Sequence, residues 1–281
     1  MGAKSTGRRI GAHVPVAGGL VKKGVAEAEE IGAEVLQIFV GSPRTWASPR
    51  VDEAAALAFR RACEERGWPV FVHASYLINL ASPVPETVER SAEHLRAAMA
   101  AAGRLGAAAV VVHAGSSIDG DREAALGRIG RAFRSVLKGA PPSVRLLVEP
   151  TAGSANSMAS NLESTAEYLQ AVGIDEVGLC LDTCHLHAAG EPLADRKRLA
   201  ASLRRLNAAV GAGRIGLVHF NDSKDPQGSR RDRHEKLGDG MLGEAGLRSV
   251  AATPLLAGVP LIIETATRAH DVAFAKRLDR G

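Results

Sequence analysis

Short apolar runs rich in β-branched residues recur along the whole chain. They alternate with longer stretches in which apolar positions return every three or four residues. The runs Ile10–Val14, Val35–Val40, Val70–His73, Ala109–His113, Leu146–Glu149, Gly178–Asp182, Ile215–His219 and Leu261–Glu264 predict eight strands. Between them, Val21–Ile31, Glu53–Glu65, Pro85–Leu105, Arg122–Leu137 and Leu193–Ala209 carry the helical period. Such alternation is the mark of a parallel α/β fold. Eight units with no linker, low-complexity segment or shift in composition predict one closed (β/α)8 TIM barrel over residues 1–281, residues 1–8 forming a flexible polar tail. An open, doubly wound sheet has the same periodicity and is the alternative.

The strands end unusually. His13, His73, His113, Glu149, Asp182, His219 and Glu264 stand at or beside the C-terminal ends of seven candidate strands. In a barrel those ends converge on one face, where active sites are built. One histidine or glutamate in such a place is ordinarily a hydrogen-bonded wall residue or half of an ion pair. Seven together need a shared cause, because buried charge is costly unless it is paired or binds a metal. Two more clusters repeat the pattern: Asp182 with His185 at a strand-to-loop corner, and Asp232-Arg233-His234. The spacing of two in the latter puts both ligand types on one side of an extended segment, with Arg233 pointing away.

Imidazole and carboxylate without paired cysteines is the ligand chemistry of catalytic rather than structural zinc. Mn2+ is an acceptable substitute where carboxylates are numerous. The donors outnumber the needs of one ion. Cys184 has better ligands beside it and is expected to lie next to the metal rather than on it, and His187 is expected nearby. His94 and His270 fall in helical regions, away from this chemistry.

Composition narrows the class. Hydrophobic residues make up 46% of the chain, enough for a large core, and no apolar run reaches the length of a membrane span. No secretory signal is read at the N-terminus. Three cysteines, Cys63, Cys180 and Cys184, without paired spacing predict free thiols in a reducing compartment, hence a cytoplasmic location. A net charge of +4 is compatible with a nucleic-acid partner, whereas 4% aromatic residues are few for reading bases by stacking.

The motifs themselves resemble those of a known family. Asp182-Thr183-Cys184-His185 through Ala188-Ala189-Gly190 resembles the D-T-C-H-x-x-A-A-G signature of the endonuclease IV family of abasic-site endonucleases. His219-Phe220-Asn221-Asp222-Ser223-Lys224 is similar to its H-x-N-D-S-K segment, and Asp232-Arg233-His234 through Gly238-Asp239-Gly240 to its D-R-H-x-x-x-G-x-G loop. Weaker likeness reaches both ends, at Ile10-Gly11-Ala12-His13-Val14 and Ile263-Glu264-Thr265. The resemblance implies three Zn2+ ions per chain. His73, His113 and Glu149 would hold the first; Glu149 would bridge to a second completed by Asp182, His219 and Glu264; His185, Asp232 and His234 would hold the third. His13 is outside that set and is expected in the pocket wall.

By the same resemblance the activity is that of a deoxyribonuclease IV. It would hydrolyse the phosphodiester 5′ to an abasic site in duplex DNA by a trinuclear-zinc hydroxide mechanism, with Glu149 and Glu264 as the catalytic carboxylates. The product is a 3′-hydroxyl for base excision repair, and clearing of blocked 3′ ends is an expected side activity. Arg44, in a segment similar to the family's Q-x-F-x…R-x-W, and Tyr76-Leu77 would enter the gap left by a flipped nucleotide. Lys224, Arg231 and Arg233, with Arg230, would contact phosphates from a long loop between Asn221 and Gly246. A monomer is expected, since a closed barrel needs no partner subunit. Two departures from the family bear on rate and substrate range: Pro150 follows Glu149, and Ser154-Ala155 replaces a glycine pattern. A metal-dependent sugar isomerase or epimerase is one rival reading, but the third metal has no use in sugar enolisation. A damage-binding protein without catalysis is the other, opposed by the complete ligand set.

Overall fold

The computed structural model describes residues 7–154 and 156–280. Eight parallel strands form a ring in sequence order: β1 (Ile10–His13), β2 (Leu36–Phe39), β3 (Val70–His73), β4 (Ala109–His113), β5 (Arg145–Glu149), β6 (Gly178–Asp182), β7 (Ile215–His219) and β10 (Leu261–Ile263). β1 closes it, pairing Ala12 with Leu36 of β2 on one side and Ile10 with Leu261 of β10 on the other. Gly11 permits that closure, because a Cβ there would lie 1.8 Å from the Val35 carbonyl oxygen. The open sheet is thereby excluded.

Among the described residues, nine α-helices accompany the ring: α1 (Ala26–Glu30), α2 (Glu53–Arg66), α3 (Pro85–Leu105), α4 (Arg122–Leu137), α5 (Leu162–Val172), α6 (Thr183–Ala188), α7 (Arg196–Val210), α8 (Gly243–Ala251) and α9 (Arg268–Arg280). Several starts are written locally. Asp52, Asp121, Asn161 and Asp195 cap α2, α4, α5 and α7 by accepting hydrogen bonds from first-turn N–H groups. The helix expected over Val21–Ile31 is divided, a wider π-helical turn over Leu20–Val25 leading into α1.

The core has two layers. Most apolar side chains fill the space between the strands and the surrounding helices. Inside the ring, a second cluster holds Val35, Phe71, Ala109, Val111, Leu147, Cys180, Leu217 and Ile262. Strand side chains alternate with a period of two. Two positions beyond these interior residues, on seven strands, come Gln37, His73, His113, Glu149, Asp182, His219 and Glu264. An apolar plug thus floors a polar layer at the C-terminal mouth.

The segments differ from expectation in three places. Asp182–Gly190 is not a loop corner but holds the whole of α6, with Asp182 as its N-cap. The span from Asn221 to Gly246 is not simply a loop: β8 (Asp222–Ser223) and β9 (His234–Glu235) pair antiparallel within it. Residue 8 is not part of a flexible tail. Residues 1–6 lie outside the described residues, but Arg8 is buried and donates to the Ala251 carbonyl (3.1 Å), the Leu256 carbonyl (2.7 Å) and Asp279 Oδ1 (3.0 Å). Among the described residues no helix is long and apolar enough to cross a membrane. All three cysteines are buried free thiols.

Candidate metal centre

The nine side chains expected as ligands meet at the mouth of the barrel. Glu149, ending β5 and almost fully buried, stands at their middle. Its Oε2 lies 3.2 Å from His73 Nε2 and 3.5 Å from His113 Nε2, and its Oε1 lies 3.1 Å from His219 Nδ1 and 3.2 Å from His185 Nδ1. One carboxylate therefore faces two groups of imidazoles with different oxygens, the geometry of a bridge. His219 Nδ1 is also 3.3 Å from Glu264 Oε2 and 3.9 Å from Asp182 Oδ2, which completes a second cluster.

The third cluster depends on α6. Asp182 Oδ1 accepts from the His185 N–H at 2.8 Å, an N-cap that starts the helix and fixes where His185 emerges. Asp182 Oδ2 remains turned to the site, 3.6 Å from His234 Nε2. His185 Nε2 then faces Asp232 Oδ2 at 3.2 Å, and His234 Nε2 faces Asp232 Oδ1 at 3.3 Å.

Two neutral residues order these charges, and their part was missed in the sequence. Gln37 Nε2 donates to Glu264 Oε1 at 2.8 Å, so its Oε1 is free to accept from His219 Nε2 at 2.8 Å. Asn221 Nδ2 donates to Asp182 Oδ2 (2.7 Å) and to Glu264 Oε2 (3.1 Å), while its Oδ1 accepts the Glu264 N–H (3.0 Å). His13 Nδ1 sits 3.1 Å from Gln37 Nε2, in the wall as expected.

This arrangement fits cations. His73 Nδ1 donates to the Ala74 carbonyl at 2.7 Å and His185 Nδ1 to the Pro150 carbonyl at 3.0 Å; His219 Nε2 is taken by Gln37. The other nitrogen of each ring then faces a carboxylate, a contact that is favourable only with a metal cation or a second ring proton between them. Such outer hydrogen bonds orient metal-ligating imidazoles. His234 Nε2 is buried with no hydrogen-bond partner although two carboxylates lie nearby. His73–His113–Glu149 and His185–Asp232–His234 each bring one donor atom apiece to within 4.8 Å of one another. Cys184 Sγ donates instead to the Arg233 carbonyl at 3.7 Å, although it also lies near Asp182 and His234.

The electrostatics agree. Burial favours neutral Glu149, yet the His219 and His113 rings hold it well below the usual carboxylate range. For Asp182 burial prevails and raises it. Burial lowers His113 to about 4, keeping the ring neutral. Burial also opposes protonation of His185, but Asp182, Asp232 and Glu149 overcome it and hold that ring well above its ordinary value. The site draws in positive charge.

Comparison with known proteins fixes the lineage. A family model described as a xylose isomerase-like TIM barrel matches residues 25–278. The "Probable endonuclease 4" of Streptomyces coelicolor is 41% identical over 280 residues, covering 97% of this chain and 95% of its own. The chain belongs to the endonuclease IV family. The crystal structure of endonuclease IV from Thermus thermophilus superposes with a TM-score of 0.83 at 36% identity, covering 97% of both chains. A D-tagatose 3-epimerase-like protein shares the fold alone, with a TM-score of 0.72 at 18% identity.

The residues that the endonuclease IV resemblance assigns to DNA lie on loops about this mouth. Arg44 is exposed between β2 and α2, and Leu77 is half-buried. Tyr76 is 46% exposed, its ring edge-on to His73 (5.3 Å) and tilted against His113 (5.4 Å), and burial of its hydroxyl pushes the pKa up to about 12. Three of the basic residues are already engaged. Arg233 forks onto Asp225 at 2.8 and 2.5 Å. Arg231 lies 3.6 Å from the same carboxylate, and Lys224 3.8 Å from Glu235. His187 is buried and its carbonyl accepts the Gly228 N–H at 3.0 Å, so it supports this loop. His94 holds the β2–α2 loop through the Ala47 carbonyl at 3.1 Å, and His270 on α9 pairs with Asp271, both outside the cluster. Of the two departures, Pro150 supplies the carbonyl that orients His185. Ser154 is described, but Ala155 lies outside the described residues.

Proposed function

We propose that this chain is a DNA-repair endonuclease that hydrolyses the phosphodiester 5′ to abasic sites in duplex DNA, leaving a 3′-hydroxyl, and that the same centre clears blocked 3′ ends. The supporting observation is the cluster of His185, Asp232 and His234 beside the two groups that share Glu149. A barrel for sugar enolisation has no need of it. Relatives named endonuclease 4 across nearly the whole length agree with this reading.

Three divalent ions, Zn2+ with Mn2+ as an acceptable substitute, would supply Lewis acidity and an ionised water when bound. His73, His113 and Glu149 would hold one, Glu149, Asp182, His219 and Glu264 a second, and His185, Asp232 and His234 a third. The four carboxylates leave such a set with net positive charge, which favours an incoming phosphate. Glu264 orients the attacking water. Burial raises its pKa, but His219 and His13 hold the carboxyl below its usual range, so it remains an ionised acceptor. Gln37 and Asn221 grip it from both sides.

A phosphate within a duplex reaches this recessed layer only if the nucleotide rotates out, which costs least where no base is paired. Arg44, Tyr76 and Leu77 would occupy the vacated stack. Arg231, Arg233 and Lys224 would exchange Asp225 and Glu235 for phosphates. A monomer in a reducing compartment such as the cytoplasm suits the closed barrel and free thiols.

The test is a duplex carrying one synthetic abasic site, incubated with and without a chelator, alongside metal analysis. Incision on the 5′ side, abolished by chelation and restored by Zn2+, with about three ions per chain, is the expected result. One ion per chain and an uncut duplex would remove the reading. Glu264→Gln should lower kcat by at least about a hundredfold, as for loss of a positioned acid–base group; unchanged turnover would take Glu264 out of the chemistry.

A further inference from the structure

Large apolar side chains on this protein are not exposed at random. Among the described residues six are: Val21, Leu57, Tyr76, Val84, Ile118 and Met241. All but Leu57 lie on loops, or on first turns and caps of helices, at the same end of the barrel as the metal-type donors. Ile118, at 61%, is the most exposed of them. It is also the one that the backbone holds at a cost. Its φ is +60°, a left-handed conformation that is a genuine outlier for a β-branched residue. Gly or Asn would adopt it readily.

The surrounding hydrogen bonds impose that conformation. Asn79, from the loop after β3, donates Nδ2 to the Ser116 carbonyl (2.9 Å) and accepts the Ser116 N–H (3.1 Å). Asn156, from the loop after β5, donates Nδ2 to the Ile118 carbonyl (2.9 Å), and its own carbonyl accepts the Ser117 N–H (3.0 Å). Three consecutive loops are thus stitched together, and the first carries Tyr76-Leu77. Ile118 is held on the same framework as those side chains, with its apolar group toward solvent. Neither burial nor backbone preference in the free protein accounts for an isoleucine there.

We propose that Ile118 is an additional apolar wedge for the DNA duplex, packing against a base step beside the flipped nucleotide; this rests on the endonuclease reading above. Apolar residues inserted between base steps partly unstack and kink a duplex. A side chain with no hydrogen-bonding group reads no base edge, so the contact is independent of sequence. It is a positioning contact and does not touch the scissile phosphate.

The experiment uses the metal-loaded full chain with the variants Ile118→Gly, Ile118→Asn and Ile118→Leu. Gly and Asn suit the backbone, so neither should lower Tm. Both should weaken binding of a duplex with an abasic analogue and a nuclease-resistant linkage by about five- to tenfold, the scale of one to two CH2 groups leaving water. KM for the cleavable duplex should rise by the same factor with kcat within twofold. Leu should restore binding, and turnover of a small phosphodiester such as bis(p-nitrophenyl) phosphate should be the same in all. If the wild type cuts the abasic duplex and the Gly and Asn variants bind within twofold of it, this proposal fails alone. Loss of small-substrate turnover would assign Ile118 to the fold and overturn it too. A wild type that neither binds nor cuts the duplex removes the endonuclease reading and this one with it.

Discussion

Gln37 shows how much a neutral side chain can decide among charged ones. Its amide fixes Glu264 from one end and the His219 ring from the other. Replacing it by Ala should lower activity or affinity for the second ion by about 10- to 100-fold, as for other outer partners of metal ligands, with little change in the first and third sites. Metal content against free Zn2+ and kcat on abasic DNA would measure this; equal values for the variant and wild type would refute it. Six of the nine donors, His73, His113, Glu149, Asp182, His219 and Glu264, were legible because ionisable groups ending apolar strands demand a reason. His185, Asp232 and His234 stood out through local spacing and the family resemblance. Gln37 and Asn221 were not legible, since an amide at a strand end has no such cost. A signal did exist for Gln37: it stands two residues beyond Val35 on the inward face, the same step that separates Phe71 from His73 and Leu147 from Glu149.

At the level of elements, the β8–β9 ladder carries the third cluster, and Asp222 carries the ladder. Its carboxylate accepts the N–H groups of Ser223, Gly238, Gly240, Leu242 and Gly243 at 2.8 to 3.2 Å. Gly240 is obligatory there, because a Cβ would lie 2.3 Å from the Asp222 carboxylate. Asp222→Ala strips a buried charge from five donors and should destabilise by about 3–5 kcal/mol, by analogy with broken buried ionic networks. Hydrogen exchange should show residues 234–243 losing protection first, and the third ion should dissociate before the first. Uniform exchange across the barrel would contradict this. The sequence placed the strands to within a residue or two and matched α3 and α4 end to end, whereas α7 begins three residues later than expected, behind its Asp195 cap. It concealed the ladder, which is too short to have a period, and α6, whose start depends on an Asp182 cap also read as a ligand.

At the scale of the molecule, the two ends of the barrel do different work. Chemistry gathers where the strands finish, and Arg8 ties the opposite end together by joining residue 8 to α9, to the last residue of α8 and to the segment after it. Arg8→Ala should cost about 2–3 kcal/mol through lost charged hydrogen bonds, lowering Tm while leaving kcat on abasic DNA unchanged. A fall in kcat at a temperature well below Tm would show that the ends are coupled. Ring closure could not be read from periodicity, because it depends on the pairing of residues 10 and 261, at opposite ends of the chain.

The polar layer above the apolar plug draws its carboxylates and imidazoles from positions 73 to 264. Until the final strand is in place the second group of proposed ligands is incomplete, because Glu264 directly follows that strand. A single proteolytic cut that detaches the last strand should therefore empty the proposed second site, even with most of the ring intact.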